Sequence, residues 1–95
     1  MQLVYSFSAL MWRHPGGWFF LSLPTKLSAE IREQLCWQEQ GWGRMPARAR
    51  IALLEWDTSI WYDSTLKCYV LPVKAVIRRE AKLLPGHPVE VHLSL

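Results

Sequence analysis

Three histidines, two cysteines and a scatter of hydroxyl and carboxylate side chains are the groups of this 95-residue chain that could carry chemistry. A metal site needs His, Cys, Asp or Glu in a tight set. His14 stands alone, and His87 and His92 are separated by an expected turn and strand, so all three read as solvated turn or strand residues. Nucleophilic catalysis needs a nucleophile, a base and a group that orients the base. Ser59 lies near Asp57, but no G-x-S-x-G surrounds it, and neither Cys36 nor Cys68 has a cysteine–histidine signature. Asp57-Thr58-Ser59 reads more simply as a turn whose side chains bond the local backbone. Gly16-Gly17 and Gly41-x-Gly43 lack the spacing of phosphate-cradling loops. Nothing here calls for a cofactor, no catalytic or metal-binding residue is assigned, and an enzyme is the third-ranked reading.

Two other groups of residues point to binding. Six residues are tryptophan, and large rings fill a thin core economically, so most of them should be buried. At least one should be exposed. Trp42, Trp56 and Trp61, with Ser59 beside them, are the candidate ligand-binding residues, for a small apolar ligand or a protein partner. The cations are unevenly placed. Residues 1–43 carry three basic and three acidic groups, whereas residues 44–95 carry eight basic and five acidic and so hold the whole net charge of +3. Arg48 and Arg50 fall on one side of an expected strand, with Arg44 just before it, and Lys74, Arg78 and Lys82 recur every four residues along an expected helix. Phosphate recognition requires such a patch. The second reading is therefore nucleic-acid binding through Arg44, Arg48, Arg50, Lys74 and Arg78, provided that they share one surface.

The elements that must position these residues follow from periodicity and breakers. Leu3, Tyr5, Phe7, Ala9 and Met11 alternate with mostly polar residues, as in a half-buried strand. His14-Pro15-Gly16-Gly17 then forms a hairpin turn, and Trp18 to Leu23 is an apolar strand that stops at Pro24. Ser28 is placed to cap a helix from Ala29, with Leu27, Ile31 and Leu35 as its buried stripe and Gly41 as its end. A third strand runs from Ala47 to about Trp56. Thr58 to Trp61 and Lys67 to Leu71 are further strands, and the second of these again stops at proline, Pro72. Val73 to Leu84 follows helical spacing, Pro85-Gly86-His87-Pro88 ends it, and Val89 to Leu95 is a terminal strand.

The two Leu-Pro ends, at Pro24 and Pro72, suggest an internal echo of 48 residues. The expected architecture is mainly β with two short helices: one domain over 1–95, with pseudo-repeated halves of about 1–45 and 46–95 that interlock in one small barrel. Half of the residues are hydrophobic (51%), and no apolar run approaches the ~20 residues that would span a bilayer. The N-terminal stretch lacks a basic region followed by an apolar one, so a cytoplasmic protein with reduced, mostly buried thiols is expected, and no membrane partner.

These pieces resemble a small bacterial family of uncharacterised domains. The resemblance is carried by the Trp18–Pro24 run, Ser28-Ala29-Glu30-Ile31-Arg32, Gly41-Trp42-Gly43, Trp56-Asp57-Thr58-Ser59-Ile60, Tyr69-Val70-Leu71-Pro72-Val73-Lys74 with Arg78, and Leu84 to Val91. What it implies is a double-split β-barrel, the broad fold of the AbrB and MazE swapped-hairpin transcription factors. It also implies occasional fusion to bacteriocin-protection domains of the YdeI and OmpD-associated type. It implies no established activity and supplies no catalytic residues. The chain departs from the family pattern at Gly86-His87, where Gly-Asp is usual, and at Ala52-Leu53 in place of Gly-Gly. The second change implies a locally straighter strand.

Overall fold

A computed structural model describes residues 3–35, 37, 39 and 43–95. Six strands, β1 (Val4–Arg13), β2 (Phe19–Ser22), β3 (Arg44–Ile51), β4 (Leu54–Asp63), β5 (Cys68–Pro72) and β6 (Pro88–Ser94), close into a ring in the order β1-β2-β5-β4-β3-β6. Two helices, α1 (Thr25–Leu35) and α2 (Ala75–Glu80), complete it. Every neighbouring pair is antiparallel. Among the described residues, no helix is long and apolar enough to cross a membrane.

Period-two alternation decides which side chains enter the ring. Phe7 and Met11 of β1, Leu21 of β2, Met45, Ala49 and Ile51 of β3, Ile60 of β4, Leu71 of β5 and Val89, Val91 and Leu93 of β6 are buried in one cluster. Ile31 and Leu35 of α1 and Ile77 of α2 join it, so each helix covers the core with its apolar stripe. A fully buried Leu or Ile contributes ~1.5–3 kcal/mol of transfer free energy, which makes this cluster the main stabilising feature of a small barrel.

The chain order reads strand, strand, helix, strand, and then repeats. In both passages the third strand lies away from its own hairpin: β3 pairs with β4, and β6 pairs with β1. The two passages meet face to face. Phe20, Leu21 and Ser22 pair with Pro72, Leu71 and Val70, while the Leu23 amide donates to the Tyr69 carbonyl and the Val73 amide to the Phe19 carbonyl. Leu23 and Val73, and likewise Phe19 and Tyr69, are fifty residues apart, so the Pro24/Pro72 echo is two residues out of the structural register. The boundary drawn at 45/46 falls inside β3.

Several local expectations are corrected. Helix α1 begins at Thr25, because the Pro24 carbonyl already accepts the Ser28 amide (2.9 Å). Ser28 therefore lies inside the helix and is fully buried, and its Oγ accepts the amide of Tyr69 (3.0 Å). The third strand does not continue to Trp56. It starts at Arg44 and ends at Ile51, where Ala52 takes a left-handed φ of 54° and Leu53 is 98% exposed. Pro46 is tolerated in β3 because that stretch is paired only with β4, so no second ladder needs its nitrogen as a donor. Asp57-Thr58-Ser59 is not a turn but the middle of β4, paired with Arg48, Ala47 and Pro46.

Helix α2 is six residues long rather than running to Leu84. It closes with the Leu83 amide on the Arg78 carbonyl (2.9 Å) and the Lys82 amide on the Arg79 carbonyl (3.3 Å). That bond pattern is a Schellman stop, with Lys82 at the left-handed position that glycine usually takes (φ 55°). The every-fourth-residue stripe is thus broken: Lys74 precedes the helix and Lys82 lies beyond its cap. The expected helix end at Gly41 lies outside the described residues.

Candidate binding groove

Residues that alternate with the core positions project from the outer wall. Many of these are polar, but one patch across β1-β2-β5-β4 is large and apolar: Trp12, Phe20, Val70, Pro72 and Trp61. Trp12 stands opposite Phe20, Phe20 opposite Pro72, and Val70 opposite Trp61. His14, Trp18, Phe20, Trp61, Val70 and Pro72 line a groove of about 430 Å³. Trp18, on its rim, is 64% exposed.

The rim is wired by the turn between β1 and β2. The His14 amide donates to the Trp18 carbonyl (2.7 Å), and the Gly17 amide to the His14 carbonyl (2.8 Å). The Gly16 amide donates to His14 Nδ1 (3.1 Å), which leaves the proton of the neutral ring on Nε2. Gly17 adopts φ 92°, so the turn requires a residue without a Cβ penalty there. The Trp12 ring packs at 5.2 Å on Phe20 and donates Nε1–H to Ser22 Oγ (2.8 Å), while His14 meets Phe20 edge-on. Ring packing and these bonds preset the shape of the groove.

The five cations singled out from the sequence come from two parts of the chain, β3 and the α2 region. Arg44, Arg48 and Arg50 do share the outer side of β3. Arg48 bonds Asp57 (2.8 Å) and lies 3.7 Å from Glu55, and its pKa is raised first by the hydrogen bond to Asp57. Arg44 Nε donates to Ser59 Oγ (3.3 Å), and Arg50 Nη1 to the Ala52 carbonyl (2.8 Å). With Glu90 on β6, this wall matches three arginines with three carboxylates. Lys74 immediately precedes α2 and Arg78 lies within it, and the Arg78 guanidinium lies 3.9 Å over the ring of Phe19 at the start of β2. In the ring of strands, β2 and β3 are three places apart in either direction.

Residues 7–93 match the family described as a domain of unknown function, DUF1905. The chain belongs to the DUF1905 family. No curated protein matches it.

In this DUF1905 barrel the candidate ligand residues have different fates. Trp61 lines the groove. Ser59 lies two residues along the same wall, bonded by Arg44. Trp56 has the opposite parity and packs against the core, with a buried Nε1 that has no hydrogen-bond partner. Trp42 lies outside the described residues, as does Cys36. Sequence reasoning missed His14, Trp18, Phe20, Val70 and Pro72. The available signal was apolar residues at outward parity in strands whose inward positions were already apolar.

Cys68 is a free, buried thiol whose pKa is raised, first by burial. Among the described residues, no group of three or more His, Cys, Asp or Glu is placed to hold a metal. At the α1 end, Tyr69 Oη donates to Glu39, Arg32 lies 3.5 Å from the same carboxylate and its guanidinium stacks 3.8 Å over Tyr62. This network ties α1 and Glu39 to β4 and β5.

Proposed function

We propose that this DUF1905 domain is a non-enzymatic binding module whose outer groove takes a small, ring-bearing apolar ligand. The observation that carries the reading is the groove itself: five of its six lining residues are large and apolar. Its volume of about 430 Å³ falls within the ~300–1,000 Å³ of small-molecule sites. Six side chains are too few for a stable protein interface, which buries ~800 Å² a side. The Trp18 and Trp61 faces and the Pro72 ring suit stacking on a flat apolar ring. In this reading residues 1–95 act as one domain, and the free thiol of Cys68 fits a reducing cytoplasm.

The placement of β3 and β6 away from their own hairpins supports kinship with double-split barrels of the AbrB and MazE kind. Nucleic-acid binding by that analogy is the weaker reading, since fold alone does not carry function and Arg48 is already paired with Asp57 and Glu55. The test follows the indole N–H signals of Trp18 and Trp61 while p-cresol is added at low and high salt. Saturable shifts that salt leaves alone, with affinity at least ~10-fold lower in Trp61→Ala, are expected. Silence of both indoles up to millimolar p-cresol sinks the ligand reading. Salt-sensitive binding of a short DNA duplex would put the second reading in its place.

A further inference from the structure

A second pocket, of about 470 Å³, opens between the β3–β4 turn, the C-terminal end of α2 and the start of β6. Arg50, Lys82, His87 and His92 line it, and Glu90 is its one carboxylate. Glu90 is already engaged, 3.3 Å from His92 Nε2. Ile51, Leu83 and Val89 supply apolar lining.

Two features set this pocket apart from a solvated basic surface. The first is Arg50. Its neighbour Arg48 is saturated by Asp57 and Glu55, whereas Arg50 spends one donor on the Ala52 carbonyl and has no carboxylate partner among the described residues. A guanidinium carries five N–H donors, so most of its fork is uncommitted. The cross-strand neighbour that should neutralise it, Glu55, leans to Arg48 instead. The second is Lys82. The Schellman stop places it at a left-handed position where glycine is the unstrained choice. Ala52, across the pocket, is left-handed as well, at φ 54°. Non-glycine residues at such positions cost stability and concentrate at binding sites.

We propose that this pocket binds a small organic phosphate: a phosphomonoester whose head is held by Arg50 and Lys82 and whose apolar body lies on Ile51 and Leu83. A planar guanidinium grips a phosphate through two parallel bonds, and the ammonium adds a point charge. On the β3 side the neighbouring guanidinium, Arg48, is already paired with Asp57 and Glu55, which favours a single phosphate head over a polyanion running along that wall.

The experiment titrates the intact chain with phenyl phosphate, inorganic phosphate and benzoate. It follows the ring C–H signals of His87 and His92 by NMR, with the Trp18 and Trp61 indoles as a monitor of the other groove. Phenyl phosphate should bind saturably through the histidine signals and more tightly than either partial ligand. Arg50→Gln should weaken it at least ~10-fold, and Arg48→Gln less than ~2-fold. Trp61→Ala should leave the histidine response intact. Lys82→Gly is the variant that cannot fail through misfolding: it should raise the melting temperature while weakening phenyl phosphate at least ~5-fold. The proposal is overturned by absence of binding at about 10 mM phenyl phosphate, by equal losses in Arg48→Gln and Arg50→Gln, or by an unchanged affinity in Lys82→Gly.

Discussion

Cys68 shows how a residue's surroundings set its chemistry. Burial pushes the thiol above its ordinary value of 9.0, the nearby Asp63 charge pushes the same way, and a bond with Ser22 opposes them. A group whose folded pKa is raised favours the fold fully below its unfolded pKa, and that contribution is lost as pH rises through the folded pKa. The barrel should therefore weaken above about pH 9, and Cys68→Ala should flatten that fall in urea midpoints measured from neutral to alkaline pH. Tyr5, raised by burial and by Glu30, shifts in the same direction, so Tyr5→Phe is the companion variant. A fall as steep in Cys68→Ala as in the parent would mean that the thiol plays no part. At this scale His14-Pro15-Gly16-Gly17 was legible, because proline and glycine announce a turn. Ala52 and Lys82 were not, because neither residue type signals left-handed backbone.

Among the elements, Ser28 separates two ideas of how α1 is held. A cap would serve the helix alone, whereas Ser28 Oγ, from inside α1, accepts the Tyr69 amide of β5. Ser28→Ala should remove this buried bond between α1 and β5 and cost ~1–3 kcal/mol. Its signature should be faster amide exchange at Tyr69 with α1 still helical; loss of helicity with Tyr69 still protected would restore the cap. Alternation identified β1 and β6, and strand-like stretches that stop at Pro24 and Pro72 identified β2 and β5. It failed at the β3–β4 turn, where Ala52-Leu53 looks like more strand. Periodicity also tells which way a side chain faces but not which strands are neighbours. Phe20 and Trp61 come from β2 and β4, and only the insertion of β5 between those strands makes one groove of them.

The molecule as a whole is a closed ring of six strands, sealed where β6 meets β1 and β3. Val4 lies opposite Ser94, and Leu3 and Leu95 exchange two backbone hydrogen bonds (3.2 and 2.8 Å). Because those ends touch, a permuted chain with Leu95 linked to Leu3 and opened between Ala52 and Leu53 should form the same barrel and unfold cooperatively. Thermal denaturation read by circular dichroism checks this, and a broad, gradual loss of signal would count against it. The seam also governs timing. β1 is made early in synthesis and its partner β6 late, and β3 waits for the same strand. Until β6 emerges, two bare strand edges stand open together, and such edges recruit other chains. The half-made polypeptide is thus the form most exposed to aggregation, and the last strand closes the ring by pairing with both of those edges at once.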